Sequence, residues 1–407
     1  MKAIPATLAV VVTRTPARVI SWMCIAQVFS LTGFASFPTL LPHLQPAWGM
    51  SNSEAGLVSG MFFGGYLLAV PLLSGLTDRR DARFIYFASS LIAAAALVAM
   101  AVLARGFASG LLFQFLLGVG VAGHYMPGLR ALADNTSGVA QSRATSFYTA
   151  IFGVGTSLSI VQAGWIGSVI SPQAAFALAA AGPLVAGAMV LWGLPPGAPA
   201  AHARHNMLDF RPVLAQRDVR PYMFGYGVHC WELFGSRSWL VAFLVFAQSQ
   251  GGASWLVLSP VAVAAIANLI GPPSSIAGNE LALRFGRRRV VWVAMLASGI
   301  GSALFGFSAS LPWIAVALFA TLHMALVMGD SSAMTAAVVA GADPRIRGST
   351  LAFHSMLGFG AGLVSPLVFG VILDVAGGQG SVGAWGAAYA SLGVLAVGYS
   401  ILLSRGR

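Results

Sequence analysis

Two short stretches of this sequence decide its fold: SGLTDRRDAR at residues 74–83 and GNELALRFGRRR at residues 278–289. A shift of 204 or 205 residues aligns the two halves of the chain, and the matched positions are Arg79 with Arg284, Arg83 with Arg288, Arg143 with Arg347, and 153–155 with 358–360. Such a set of matches indicates a duplicated unit. We therefore expect two structurally similar halves.

The composition of the chain is that of an integral membrane protein. Of its 407 residues, 57% are hydrophobic and only 8% are charged, whereas soluble domains carry roughly a quarter charged residues. The net charge of +11 comes from arginines scattered between apolar segments, which does not indicate a nucleic-acid partner. Cys24 and Cys230 both lie in apolar segments, without the spacing of a disulfide, redox or metal site.

Apolar segments of spanning length occur twelve times, at 19–44, 54–76, 84–103, 107–130, 145–170, 174–194, 221–247, 255–278, 290–309, 312–340, 349–373 and 383–403. Each is near or above the roughly 20 residues that a membrane helix needs. The second segment opens with Ser51 and Glu54 in the S-x-x-E pattern of a helix capping box. We expect an all-α membrane protein with twelve transmembrane helices in two pseudo-symmetric six-helix bundles.

The connections between these segments alternate in charge. Twenty of the 22 basic residues fall on one side, and the exceptions are Arg105 and Arg237. Because Lys and Arg are enriched in cytoplasmic loops, this asymmetry places both termini in the cytoplasm. We expect a multi-pass protein of a bacterial-type inner membrane.

A linker at 195–220 separates the two halves. It opens with three prolines and has no long apolar run, so we expect a connection and not a domain. The predicted units are a first six-helix bundle at 1–194, the cytoplasmic linker, and a second bundle at 221–407. Parallel repeats of this kind are a known transporter architecture, with the binding site between the halves.

The stretch at 74–83 and its counterpart at 278–289 resemble the signature loop of the major facilitator superfamily of secondary transporters. The resemblance extends over essentially the whole chain, and it implies the superfamily's fold but no particular substrate. The sequence departs from the superfamily's loop pattern at Ser74 and Asp81, where glycines are usual, and at Leu283, where the second copy could have an acid.

The resemblance also implies a conformational latch at the cytoplasmic ends of the helices. Asp78 would meet the amino-terminal end of the helix that starts near Ser349, and Arg79 or Arg83 would pair with Asp134. The alternative is that the arginines are only topology anchors.

The sequence VHCWELFGSRSW at 228–239 places His229, Glu232 and Arg237 inside the seventh apolar segment. Charged side chains at bilayer depth are costly unless they face a partner or a cavity, so these three are candidate functional residues. On a helix, Glu232 and Arg237 lie at about −60° and +80° from His229. Two interpretations remain: Arg237 binds a substrate anion while Glu232 carries a proton, or the two form a permanent ion pair.

The resemblance implies that helices 1, 4, 7 and 10 line a central cavity. The candidate substrate and proton pathway therefore comprises Glu232, Arg237, His229, Asp330, His323, His124, Tyr125 and Gln27. Each of His124 and His323 has the simpler interpretation of a satisfied core histidine.

We expect a transporter, active as a monomer, that couples a proton to a small organic and anionic solute by alternating access. A proton-driven efflux antiporter is the alternative, although helix 5 reads GVGTSLSIVQAGWIG and lacks the proline usual in drug antiporters. A non-transporting membrane sensor is a further alternative. An enzyme is not expected, since no nucleotide, metal or nucleophile motif occurs, and no cofactor or metal is expected.

Overall fold

The computed structural model describes residues 16–77, 79–136, 138–196, 210–251, 258–343 and 345–405. Within these ranges the chain is helical and contains no strand. We number the α-helices in chain order, and we distinguish two ends of the bundle. The arginine-rich end carries residues 79–83 and 286–289, and the arginine-poor end carries residues 48–51, 103–106 and 376–381.

The helices have the following bounds: α1 Pro16–Ser30, α2 Ser36–Ala47, α3 Asn52–Leu76, α4 Ala82–Val102, α5 Phe107–Asp134, α6 Gly138–Val169, α7 Pro172–Ala179, α8 Ala181–Gly193, α9 Arg211–Leu214, α10 Arg220–Gln250, α11 Pro260–Leu269, α12 Gly271–Phe285, α13 Arg287–Phe305, α14 Trp313–Met328, α15 Ser331–Gly341, α16 Arg347–Val375 and α17 Val382–Arg405. A short 3-10 helix, Gly306–Ser310, follows α13.

Ten helical segments among the described residues are long and apolar enough to cross a membrane. They correspond to ten of the twelve predicted spans. The predicted span 19–44 is instead divided between α1 and α2, and 145–170 corresponds to α6. The multi-pass, all-helical architecture is therefore confirmed, whereas the number twelve is not.

Several predicted spans are interrupted near their middle. α11 ends at Leu269, and α12 begins at Gly271 with Pro272 and Pro273 in its first turn, where proline has no N–H to continue the preceding helix. Between α14 and α15 the break leaves Asp330 immediately before α15. These interruptions matter because backbone N–H and C=O groups lose their helical partners there. Polar backbone groups are thereby brought to membrane depth, where an unbroken helix would leave none unpaired.

The predicted capping box at the start of α3 is confirmed. The backbone N–H of Ser51 donates to Glu54 Oε2 at 2.9 Å, and the backbone N–H of Glu54 donates to Ser51 Oγ at 3.1 Å. The two side chains satisfy N–H groups at the first turn that have no partner within the helix.

Helices of the first half pack directly on helices of the second half. The α3 helix lies along α16, α2 contacts α10, and α6 contacts α11. The ring of Phe63 lies 4.1 Å from that of Phe234, and the ring of Tyr66 lies 4.1 Å from that of Phe359, as centroid distances. The buried core therefore continues across the boundary between the halves.

Glycines allow α3 and α16 to approach each other closely near the arginine-poor end. A Cβ atom on Gly56 would collide with the carbonyl oxygen of Pro366, and one on Gly60 would collide with that of Leu363. Close helix contact through small residues is the usual mode of packing in membranes. The backbones of the two halves are thus in van der Waals contact here.

We predict that Gly56→Ala disfavours this closed arrangement, since the added methyl group requires α3 and α16 to separate. Overpacking of this kind costs about 1–3 kcal/mol, which corresponds to roughly a ten- to hundredfold shift between conformations. Spin-label distances between the arginine-poor ends of α3 and α16 measure the shift. Gly360→Ala on α16 is the matched control, because its Cβ would have nothing within 4 Å. Equal distance distributions for the two variants would contradict the packing argument.

Candidate functional site

The long helix α10 carries three of the predicted site residues on different sides. It runs unbroken over 31 residues and has Pro221 in its first turn, where the missing N–H costs nothing. Glu232 and Arg237 are five residues apart, which turns their side chains about 140° from each other. They therefore face different neighbours.

Glu232 points into the second half of the molecule and is bound by two serines of α13. Its side chain is buried, Ser298 Oγ donates to Oε2 at 2.8 Å, and Ser302 Oγ donates to Oε1 at 2.6 Å. The two serines are four residues apart and so lie on one face of α13. Both carboxylate oxygens thus have a hydrogen-bond donor in a buried position.

His229 contacts a second buried acid. Its Nδ1 lies 2.8 Å from Asp330 Oδ1, and both side chains are almost fully buried. The contact does not have the direction of an aligned hydrogen bond, so we describe it as a close charge contact. Asp330 and His229 also interact electrostatically with Glu232. We call His229, Glu232 and Asp330, together with Ser298 and Ser302, the acid–histidine cluster.

Arg237 faces away from this cluster into a cavity between the two halves. No described carboxylate forms an ion pair with it, and its Nε is buried without a hydrogen-bond partner. Glu232 and Arg237 therefore do not form an ion pair in this conformation, contrary to the interpretation that they are permanently paired.

The cavity is formed by both halves of the chain. Phe34 between α1 and α2, Ser59 on α3 and Gln114 on α5 line it from the first half, while Arg237 on α10 and Asn268 on α11 line it from the second. The volume open to the centre of a water molecule is ≈ 30 Å³. Since one water needs about 10–15 Å³ by this measure, the cavity in this conformation has room for about two waters.

The other predicted pathway residues do not line this cavity. His323 is fully buried with its Nε2 at 3.2 Å from Ser236 Oγ, and His124 is fully buried with its Nε2 at 3.0 Å from Ser90 Oγ. Tyr125 stacks on Tyr148, with ring centroids 5.8 Å apart. Gln27 is buried on α1, and its Oε1 has no hydrogen-bond partner. The described residues contain no group of three His, Cys, Asp or Glu side chains suited to a metal ion.

At the arginine-rich end, the predicted latch is only partly within the described residues. Asp78 and the side chain of Asp134 lie outside them, and Arg79 is exposed. Arg83 instead contacts Asp81, with Nη2 and Oδ2 2.7 Å apart, and donates from Nη1 to the carbonyl oxygen of Leu194 at 2.6 Å. Arg83 thereby binds the end of α8.

The second half contains an equivalent contact. Arg288, which aligns with Arg83, donates from Nε and Nη2 to the carbonyl oxygen of Leu403 near the end of α17, at 2.8 and 2.6 Å. Cations near a helix carboxyl terminus compensate unpaired carbonyl groups and the helix dipole. The aligned arginines thus perform the same structural role in both halves, which the sequence alignment alone did not indicate.

At the arginine-poor end, Asp374 joins the two halves. The carboxylate lies at the end of α16 and accepts hydrogen bonds from the backbone N–H groups of Asn52 and Ser53 at 3.0 and 2.8 Å. It also accepts from the Asn52 side-chain amide at 2.8 Å and from Ser53 Oγ at 2.5 Å. An acid of one half therefore caps the amino terminus of α3 in the other half, where the dipole favours an anion.

Sequence reasoning missed Asp374. The acid that follows the eleventh apolar segment and the Ser-Asn-Ser at 51–53 are both visible in the sequence, but nothing in it pairs residues more than 300 positions apart. The implied latch has an acid at a helix amino terminus at the arginine-rich end. The contact of Asp374 has the same chemistry at the opposite end.

We predict that Asp374→Ala loosens the arginine-poor end, because four donors at the start of α3 lose their acceptor. Amide hydrogen exchange over residues 48–60 should become several-fold faster, since exchange reports local opening. Glu54→Gln is the matched control: it also changes an acid at the start of α3, but glutamine preserves a capping box within one half. An exchange rate unaffected by Asp374→Ala would show that this contact does not hold the ends together.

Comparison with known proteins agrees with this geometry. The sequence profile described as Major Facilitator Superfamily matches residues 23–273. A comparison with curated protein sequences finds no significant match.

Several solved transporters have a similar fold. The nucleoside transporter NupG is 15% identical with a TM-score of 0.77, and the similarity covers 95% of this chain and 99% of that one. A bacterial homologue of the human lysosomal transporter Spinster, inward-facing and unoccupied, is 16% identical with a TM-score of 0.70, over 96% and 95%. A POT family transporter in complex with a thioalcohol-conjugated peptide is 10% identical with a TM-score of 0.75, over 95% of both chains.

The family profile covers more than half of the chain, and the similar structures cover nearly all of it. The chain belongs to the Major Facilitator Superfamily.

Proposed function

We propose that this protein is a secondary transporter that couples the movement of a proton to that of a small organic anion by alternating access. The main observation in support is that Arg237 lies in the cavity between the halves without an ion-pair partner among the described residues. Glu232 is bound separately by two serines. A guanidinium cannot lose its proton under physiological conditions, so it needs an anion in a buried site. A solute carboxylate is the natural partner.

The acid–histidine cluster is suited to carry the proton. A serine hydroxyl can either donate or accept a hydrogen bond. Ser298 and Ser302 can therefore donate to Glu232 when it is charged, and one of them can rotate to accept from it when it is protonated. Asp330 and His229 provide a second acid and a base within the same cluster.

The architecture supports alternating access. We propose twelve membrane helices in two six-helix bundles, 1–194 and 221–407, joined by a cytoplasmic linker at 195–220, with both termini in the cytoplasm. In this conformation Asp374 closes the arginine-poor end, which on this orientation is the outer end. The cavity at Arg237 has walls from both bundles, so a relative movement of the bundles opens and closes it.

The conformational latch at the arginine-rich end is part of this proposal. Asp78 would meet the start of α16, and Arg79 or Arg83 would pair with Asp134, when the outer end opens. In the conformation described here, Arg83 instead binds Asp81 and the end of α8. The latch would then form only after the inner ends approach each other.

We predict that Glu232→Gln abolishes proton-driven accumulation but leaves solute binding intact. Glutamine fills the same space between Ser298 and Ser302 but cannot exchange a proton. Uptake into proteoliposomes under an imposed pH gradient measures accumulation, and counterflow without a gradient measures exchange. We expect accumulation to fall to the equilibrium level while exchange continues. Glu54→Gln makes the same chemical change in the capping box and should accumulate solute normally.

The same assay separates the alternatives. Accumulation that persists in Glu232→Gln would remove Glu232 as the proton carrier. A proton gradient that drives solute out instead of in would identify an efflux antiporter. If joint replacement of Glu232 by Gln and Arg237 by Met changes no flux, the protein is a sensor and the transport proposal fails.

A further inference from the structure

The cavity at Arg237 contains an unusual number of buried polar atoms without partners. Besides Arg237 Nε, these are Thr39 Oγ1, Ser59 Oγ, Gln114 Oε1 and Asn268 Oδ1. Buried polar atoms in native proteins are nearly always hydrogen-bonded to protein or water. Five unsatisfied atoms around one cavity therefore indicate that waters or a ligand complete the site.

The chemical identity of these atoms restricts the ligand. The side-chain amide N–H of Asn268 donates to the carbonyl oxygen of Ala264 at 2.9 Å, so Asn268 Oδ1 is an acceptor that a donor group of the ligand can satisfy. Arg237 can only donate, and it carries a positive charge. A suitable ligand thus combines an anionic group with a separate hydrogen-bond donor.

The cavity excludes several other classes of ligand. Among the described residues, its lining contains one charged residue, Arg237, and no acid. An organic cation would meet a like charge and no counter-charge. A dicarboxylate would leave its second charge buried and unpaired, which is strongly unfavourable. A neutral solute would leave Arg237 without an anion.

The apolar part of the wall includes four phenylalanines, Phe34, Phe62, Phe63 and Phe234, beside aliphatic residues such as Ile160, Leu240 and Val241. The rings of Phe34 and Phe62 meet edge to face at 5.1 Å, and those of Phe62 and Phe63 at 5.2 Å. Such clusters present both ring faces and ring edges, the two surfaces on which a further aromatic ring packs favourably. The body of the ligand is therefore expected to be planar and aromatic.

The cavity must widen to admit such a ligand, and its construction allows this. Phe63 of the first half touches Phe234 of the second, with centroids 4.1 Å apart. The unpaired polar atoms also belong to both halves, since Ser59 lies on α3 and Asn268 on α11. A ligand that enters between the halves would separate the two rings and occupy the space between the polar groups.

We propose that this cavity binds an aromatic monocarboxylate that bears a hydroxyl or N–H donor, with the carboxylate at Arg237, the ring among the phenylalanines and the donor at Asn268 Oδ1. The inference deepens the proposed function, which requires only an organic anion. It concerns binding and does not depend on proton coupling.

The test is a binding series with the purified full-length protein, measured by calorimetry and thermal stabilisation. The probes are para-hydroxybenzoate, benzoate, para-hydroxybenzamide and cyclohexanecarboxylate. Benzoate lacks the hydroxyl and para-hydroxybenzamide lacks the charge, so each should bind roughly tenfold or more weakly than para-hydroxybenzoate. Cyclohexanecarboxylate differs from benzoate by the loss of the aromatic ring and should bind more weakly than benzoate. Thermal stabilisation should follow the same order, since a ligand that binds only the folded state raises its stability.

Two variants test the assigned contacts. Arg237→Gln should bind para-hydroxybenzoate and para-hydroxybenzamide with equal affinity, and Asn268→Ala should bind para-hydroxybenzoate and benzoate with equal affinity. Each variant is judged by the ratio of its affinities for two probes. A general loss of stability would weaken the binding of both probes and would not change this ratio. Thr156→Val is the control at a position that lines the cavity with a hydroxyl already bonded to the carbonyl oxygen of Phe152, and it should keep both preferences.

Two outcomes would overturn the inference. Binding of cyclohexanecarboxylate as tight as that of benzoate would remove the aromatic requirement but leave transport of an organic anion in place. Equal affinity of the acid and the amide for the unchanged protein would remove the role of Arg237. By contrast, intact binding of para-hydroxybenzoate without proton-driven accumulation would overturn the proposed function and leave this inference standing.

Discussion

The arrangement of this molecule depends on one constraint: a charged group at membrane depth must have a partner. Along α10, two charged or titratable groups have a partner among the described residues, and one does not. Glu232 has the hydroxyls of Ser298 and Ser302, and His229 has Asp330. Arg237 has no acidic partner in the part of the chain that the structure describes, and it faces the cavity between the halves. A small change in the spacing of Glu232 and Arg237 along α10 would have placed the two charges against each other. Because they are separated, one side of α10 carries charged groups with partners and the other side carries Arg237.

A related constraint acts at the ends of the helices, where backbone groups lack partners within the helix. At the arginine-rich end, Arg83 and Arg288 each donate to carbonyl oxygens of the last helix in their own half. At the arginine-poor end, Asp374 accepts from N–H groups of the opposite half. Among the described residues, these hydrogen bonds stabilise each half internally at the arginine-rich end and connect the halves at the arginine-poor end. The contact of Asp374, together with the close approach of α3 and α16 at Gly56, closes the arginine-poor end in this conformation.

Much of the fold could be predicted from the sequence, because apolar length and arginine placement are local properties. The capping box of Ser51 and Glu54 was predicted for the same reason, since its residues are neighbours. The interruption before Asp330 was not predicted, because no proline or long polar run marks it. The partners of Glu232 were not predicted either: a helical angle of about 140° separates Glu232 from Arg237, but it does not say which helix lies opposite each. Those partners depend on packing between distant segments, as does the contact of Asp374 with Asn52.

The two candidate sites share a single structural element, and this determines how they can influence each other. The acid–histidine cluster involves α10, α13 and the start of α15, all in the second half. The cavity involves α10 and α11 of the second half together with helices of the first. Only α10 carries charged residues of both sites. Two ligands are coupled only to the extent that each binds one arrangement of the protein better than another. In the proposed coupling of a proton to a solute, the arrangement that both would change is the position of α10: a solute at Arg237 would act on it from the side of the first half, and protonation of Glu232 would change its hydrogen bonds to α13 from the other side.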